Sequence, residues 1–151
     1  MWRHVIAEAM TIRALSMSIL SCSQPVTVPS EIGTVDQLVN ALRAQGRAVS
    51  VGSENSPARN DYFNVSSRDV HVNEALLKAF EYHTSDRADA DAALIRPDGQ
   101  PNPRVQVGWI SAPHFYKQGR LIVLYVGCSG DVVETLSELM GPAIATGPGC
   151  N

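Results

Sequence analysis

The stretch Val105–Gly127, VQVGWISAPHFYKQGRLIVLYVG, decides how the rest of the chain is read. It divides at Gly119 into two strands, and the second, Leu121 to Val126, is an unbroken apolar run. A strand without polar alternation needs cover on both faces, which places it inside a sheet rather than at its edge. The first strand carries Trp109, then a break at Pro113, then His114, Phe115 and Tyr116.

Working outward, SGDVVETLSELMG (129–141) follows the hairpin as an amphipathic helix. Its Val132, Val133, Leu136, Leu139 and Met140 share the face turned to the sheet, and Gly141-Pro142 ends it. Upstream, TVDQLVNALRAQG opens with a Thr-x-x-Gln capping box at Thr34 and Gln37. Val35, Leu38, Val39 and Leu42 form one stripe, and Gly46 stands where a left-handed residue closes a helix.

Ala48 to Val51 reads as a short strand, and GSENSPARN (52–60) as a polar loop. Tyr62 to Val65 reads as a strand, Val70 to Val72 as the start of another, and Asn73-Glu74 as a turn. NEALLKAFEY has helical propensity. Its shortness, its Phe-Tyr end and the helix start at Ser85 favour a strand over Leu76 to Tyr82. Ser85 to Ile95 is a helix with acids in its first turns, where the macrodipole favours them. Its apolar face is thin: Ala90, Ala93 and Leu94.

The expected fold is therefore a single α+β domain. It has a four- to six-stranded antiparallel or mixed sheet, with two to three helices packed mainly on one face. The domain spans 34–144, and 145–151 is a loose C-terminal tail.

The first 21 residues are read as a signal peptide. Arg3, His4 and Arg13 supply the positive region and Ala14 to Leu20 a short apolar core. Ile19-Leu20-Ser21-Cys22 resembles the lipobox of bacterial lipoproteins, and that resemblance implies cleavage before Cys22 and acylation of its thiol. An ordinary signal peptide and an interior helix are the alternatives. A span is excluded on length, since crossing takes about 20 apolar residues. Residues 22–33, with SQPVTVPS, suit a flexible tether. Removing 1–21 leaves ten basic against fourteen acidic residues, net −4.

The 151 residues carry a net charge of −3 with no basic stripe, which argues against nucleic acid as a partner. No histidine pair has metal-ligand spacing, and no Gly-x-Ser-x-Gly or Ser-x-x-Lys motif is present. Asp86, Asp89 and Asp91 lack the glycine and closing glutamate of a calcium loop. No metal or cofactor is expected. Gly127-Cys128-Ser129-Gly130 is only loosely like a phosphate-cradling loop and reads better as a tight strand-to-helix turn.

His114 is a candidate catalytic or ligand-binding residue, and a hydrogen-bonded structural histidine is the plainer reading. Trp109, Phe115 and Tyr116 beside it make a candidate ligand-contact patch. Outside the cytosol Cys128 and Cys150 could pair across a helix about 15 Å long. A bridge would contribute about 3 kcal/mol by closing some twenty residues. The alternative is two free thiols.

PHFYKQGRLIVLYVG followed by a VVETLSELMGP helix resembles a group of small bacterial lipoproteins of unknown function. LVNALRAQG and FEYHTSDRADADAALI extend the resemblance over most of 34–144, and His114, Tyr116, Lys117, Gly119 and Arg120 are its most specific part. It departs from that pattern at Ser66 to Glu74, which lacks an Asn-Gly turn, and at Cys128, which stands for an acidic or polar residue. The resemblance implies a lipid-anchored protein on the extracytoplasmic side of a cell envelope, or else a secreted one, with no activity attached. The expected function is non-enzymatic binding of a small molecule, a cell-wall component or another envelope protein. A small hydrolase or transferase with His114 near its site is the alternative.

Overall fold

The hairpin forms around Gly119, whose φ of +52° is the left-handed turn that glycine adopts without strain. The computed structural model describes residues 31–57 and 62–150. The readings of residues 1–21, of Cys22 and of most of the tether lie outside them. Six strands make one antiparallel sheet: β1 (Val49–Asn55), β2 (Ser67–Val72), β3 (Ala75–Glu81), β4 (Pro113–Gln118), β5 (Leu121–Val126) and β6 (Ala145–Thr146). Their spatial order is β1-β2-β3-β5-β4-β6. The apolar run 121–126 thus lies between β3 and β4, buried on both faces.

Period-two alternation along β5 splits the core in two. Leu121, Val123 and Tyr125 face α1 (Val35–Ala44) and α3 (Gly130–Met140), together with Val70, Leu77 and Tyr116. Ile122 and Leu124 face the opposite side, with Phe80, Phe115 and Ala88 of α2 (Ser85–Ala92). Two helices therefore share one face and the third covers part of the other.

Several sequence expectations change. Tyr62 to Val65 is not a strand: Tyr62 and Phe63 turn inward and pack edge-on to Phe80, Phe63 at 4.9 Å. β1 extends through 52–55, and β2 begins at Ser67. α2 ends at Ala92 and buries Ala88, while Ala90, Ala93 and Leu94 are exposed. The helix has rotated to set its smallest inward residue against Phe80 and Ile122 of the second core. The fold also starts before Thr34, since Ile32 is buried and its amide donates to Gln118 Oε1 at 2.6 Å.

The tail is tied down. β6 pairs with β4, the Gly147 amide donates to Pro113 O at 2.9 Å, and Cys150 is disulfide-bonded to Cys128. Gly147 sits so close that a Cβ there would lie 2.6 Å from Asp98 O. Backbone pairing and a crosslink hold a segment whose composition alone suggested fraying.

α1 is fixed at its start. Thr34 and Gln37 form the expected capping box, and the Val35 amide donates to Glu81 Oε2 at 2.9 Å. Glu81 Oε1 also pairs with Arg120 at 2.8 Å. Glu81→Ala should lower unfolding free energy by about 1–2 kcal/mol, because a partly buried charged acceptor is removed from a helix terminus. Glu81→Gln, which keeps an acceptor, should lose less. Urea titration of the three proteins checks the order.

Arg47 ties the α1–β1 connection to α3, donating to Asp131 Oδ1 and to Thr135 Oγ1, each at 2.7 Å. The Arg47 hydrogen bond holds the Asp131 carboxyl below its ordinary range. The folded chain therefore binds that proton less readily than the unfolded one. This contribution is present above the unfolded carboxylate pKa and fades as pH falls through the depressed folded value. Arg47→Gln should flatten that acid-side loss in denaturation curves taken between neutral and acidic pH.

Candidate functional site

The four residues expected to gather for ligand contact are dispersed. Phe115 and Tyr116 are adjacent on β4, so their rings point to opposite faces, and both are fully buried. Phe115 meets Trp109 edge-on at 6.2 Å and Phe63 at 6.3 Å. Trp109 is half-buried and donates from Nε1 to Gly99 O at 3.1 Å. Tyr116 donates to Val133 O on the helical side, and burial raises its phenol pKa. These rings form no surface patch together: Phe115 and Tyr116 are core, and the half-buried Trp109 packs against it.

His114 does not sit in a break of the hairpin. Pro113 begins β4, and His114 pairs with Tyr125 on one side and Thr146 on the other. Nε2 lies 3.0 Å from Gly127 O, which can only accept, so Nε2 carries a proton. Nδ1 lies 3.5 Å from Thr146 Oγ1, and the ring stacks on Tyr125 at 5.8 Å. The Tyr125 hydroxyl in turn accepts the Ser129 amide at the start of α3. His114 is a strut between β4, the turn after β5 and β6. Only 7% of it is exposed.

Gly127-Cys128-Ser129-Gly130 is a strand-to-helix turn. Cys128 is in a disulfide and offers no thiol nucleophile. Among the described residues no hydrogen bond links a serine hydroxyl to a histidine, and no cluster of His, Cys, Asp and Glu could hold a metal ion.

Concave surface lies at the other end of the sheet, where β3 ends and α1 begins. A depression of about 220 Å³ is lined by Val35, Arg68, Glu81, Tyr82, His83 and Arg120. A second, of about 450 Å³, shares Tyr82 and His83 with it and adds Arg87 and Asp91. A third, of about 430 Å³, shares Asp91 and continues to Leu94 and Arg104. Together they form a groove along α2, facing the 62–66 loop.

The groove is built from chain ends that secondary structure brings together. β3 stops at Glu81, and Thr84 caps α2 by accepting the Arg87 amide. The intervening Tyr82 and His83 are left at the junction. Arg120, first after the Gly119 turn, donates to Tyr82 O at 2.9 Å while paired with Glu81. The Tyr82 hydroxyl donates to Asp91 Oδ2 at 2.9 Å. Burial, reinforced by Asp91, raises the Tyr82 phenol pKa far above its ordinary value, so it stays a donor at neutral pH. Arginines, a histidine and carboxylates here line the concave surface with hydrogen-bond donors and acceptors.

Sequence reading missed this end of the molecule. Its residues looked like a strand end, a cap and a turn, and only the Tyr-His pair between strand and helix signalled otherwise. Comparisons with protein-family models, with curated proteins and with solved structures found no match to this chain. Among the described residues no helix is long and apolar enough to cross a membrane.

His114→Ala should lower stability by about 1–3 kcal/mol, the range for losing buried hydrogen bonds and a packed ring. It should leave the groove intact, so any ligand bound there keeps its affinity. Calorimetric unfolding and a binding isotherm on the same variant separate the two effects.

Proposed function

We propose that this chain is a lipid-anchored binding module on the extracytoplasmic side of a bacterial envelope. In this reading Cys22 carries the anchor, residues 22–30 span the gap, and the α+β domain presents the groove along α2. One observation carries the address: Cys128 and Cys150 are paired, and the one other cysteine in the sequence follows Ile19-Leu20-Ser21. Structural disulfides persist in oxidising compartments and are rare in the cytosol. A chain with two paired cysteines and a third in a lipobox-like context accounts for all three.

The ligand in this proposal is a small molecule, a cell-wall component or a neighbouring envelope protein, held non-covalently. Arg120, Arg87 and His83 would supply donors, while Glu81 and Asp91 would supply acceptors. A hydrolase or transferase centred on His114 has less in its favour, because both ring nitrogens are engaged within the fold.

The test is intact mass measurement of the full-length protein recovered from bacterial membranes. The expected species starts at Cys22, carries acyl mass and is two hydrogens lighter than the dithiol. Cys22→Ala should leave the membrane fraction. A chain beginning at Met1 with three free thiols would overturn the reading.

A further inference from the structure

Most cationic side chains of the described residues already have a partner. Arg47, Arg68, Lys78, Arg96, Lys117 and Arg120 each meet a carboxylate, and Arg43 donates to Val49 O. Among the described lysines and arginines, Arg87 and Arg104 are the two whose side chains have no hydrogen bond or ion pair. Both are exposed, and both line the groove along α2. Arg87 lines the depression of about 450 Å³ and Arg104 that of about 430 Å³, while Asp91 lines both.

The backbone carrying each charge is fixed. The Arg87 amide donates to Thr84 Oγ1 at the start of α2. The Arg104 amide donates to Asn102 Oδ1 at 2.9 Å, and Asn102 Nδ2 in turn holds Tyr62 O at 2.8 Å. Asp91 keeps one oxygen on the Tyr82 hydroxyl, and its other oxygen has no hydrogen-bond partner among the described residues. Arg87, Asp91 and Leu94 fall at i, i+4 and i+7, one stripe along α2 and its last turn. Arg104 stands at the Leu94 end, so charge runs positive, negative, positive along the groove. From Arg87 to Leu94 the stripe rises about 10 Å at about 1.5 Å per residue.

The complement of that pattern is an anion, a cation and an anion in a row. Three extended residues cover the same length, at roughly 3.3 to 3.6 Å each. Ala90, Leu94 and Pro103 offer apolar cover to the stems of such side chains. Asn64, exposed and lining both depressions, presents a carboxamide donor and acceptor to a peptide unit. A fatty carboxylate would set an apolar chain against Asp91, and a phosphate would add a second negative charge beside it; both are unfavourable.

We propose that the groove along α2 takes a short acidic peptide in which an amine stands between two carboxylates. Arg87 and Arg104 receive the carboxylates and Asp91 receives the amine, all without covalent chemistry. The assignment rests on the groove being the recognition surface proposed above, and it is independent of the anchor.

Isothermal titration calorimetry of the full-length protein, purified in detergent, tests this with tripeptides acetylated and amidated at their ends. Glu-Lys-Glu should bind saturably, at least about tenfold more tightly than Glu-Gln-Glu or the charge-reversed Lys-Glu-Lys. Arg87→Gln and Arg104→Gln should each weaken it by about tenfold. Both side chains are exposed and unpaired, so these variants should unfold at the wild-type temperature. Asp91→Asn, which keeps an acceptor for the Tyr82 hydroxyl, should bind Glu-Lys-Glu and Glu-Gln-Glu alike. Absent binding of Glu-Lys-Glu, equal binding of Lys-Glu-Lys, or affinity that survives both arginine substitutions would overturn the proposal. Binding of a neutral Gln-Leu-Gln in place of Glu-Lys-Glu, weakened by Leu94→Ala, would overturn the charge pattern and still leave the groove as the recognition surface.

Discussion

The Glu81 carboxylate joins three segments that are far apart in sequence. One oxygen accepts the first helical amide of α1, 46 residues upstream, and the other meets Arg120 at the start of β5. A helix N-terminus has amides with no partner within the helix, and burying them unpaired is costly. Glu81 answers that at the point where α1 must meet the sheet. Arg120, also bonded to Tyr82 O, neutralises the charge and fixes the chain leaving β3. Gln118 holds the Ile32 amide across 86 residues, so the hairpin turn also secures the entry to α1. The groove follows from this junction, because Tyr82 and His83 are what remains between a strand and a helix each held from one side.

The second constraint is that β5 is apolar on both faces. α1 and α3 settle one side with two amphipathic stripes. The other side is covered by a short helix that buries a single alanine and by irregular chain carrying rings. Tyr62, Phe63 and Trp109 pack edge-on or tilted against Phe80, Phe115 and one another, at 4.9 to 6.4 Å between centroids. Aromatic side chains bury enough area each to close a face that lacks a long helix. This is why the rings that looked like a contact surface are interior.

What the sequence disclosed was local. A capping box, a stripe at helical spacing and a six-residue apolar run each carry their cause within a dozen residues, and α1, α3 and β5 formed where those signals stood. The strand reading of 76–82 against a helical propensity also agrees with β3. The failures were non-local. Tyr62 and Phe63 resemble a strand until Phe80 and Phe115 are beside them. α2 shows a thin face of Ala90, Ala93 and Leu94 until packing selects Ala88. The segment 145–151 looks loose until β4 and Cys128 hold it. The site followed the same rule: His114 stood out by its neighbours in sequence, whereas the groove is assembled from residues 35, 68, 81–91 and 120.

The hydrogen bonds that fill the valences of His114 also decide how the two ends of the sheet relate. The disulfide lies beyond Val126 and the groove lies before Leu121, so β5 separates them by roughly 20 Å at about 3.3 Å per residue. At the groove end Glu81, Tyr82 and Arg120 are tied to one another, to α1 and to α2. His114 is held to β6 by Thr146 and to the turn after β5 by the Gly127 carbonyl, while its ring stacks on Tyr125.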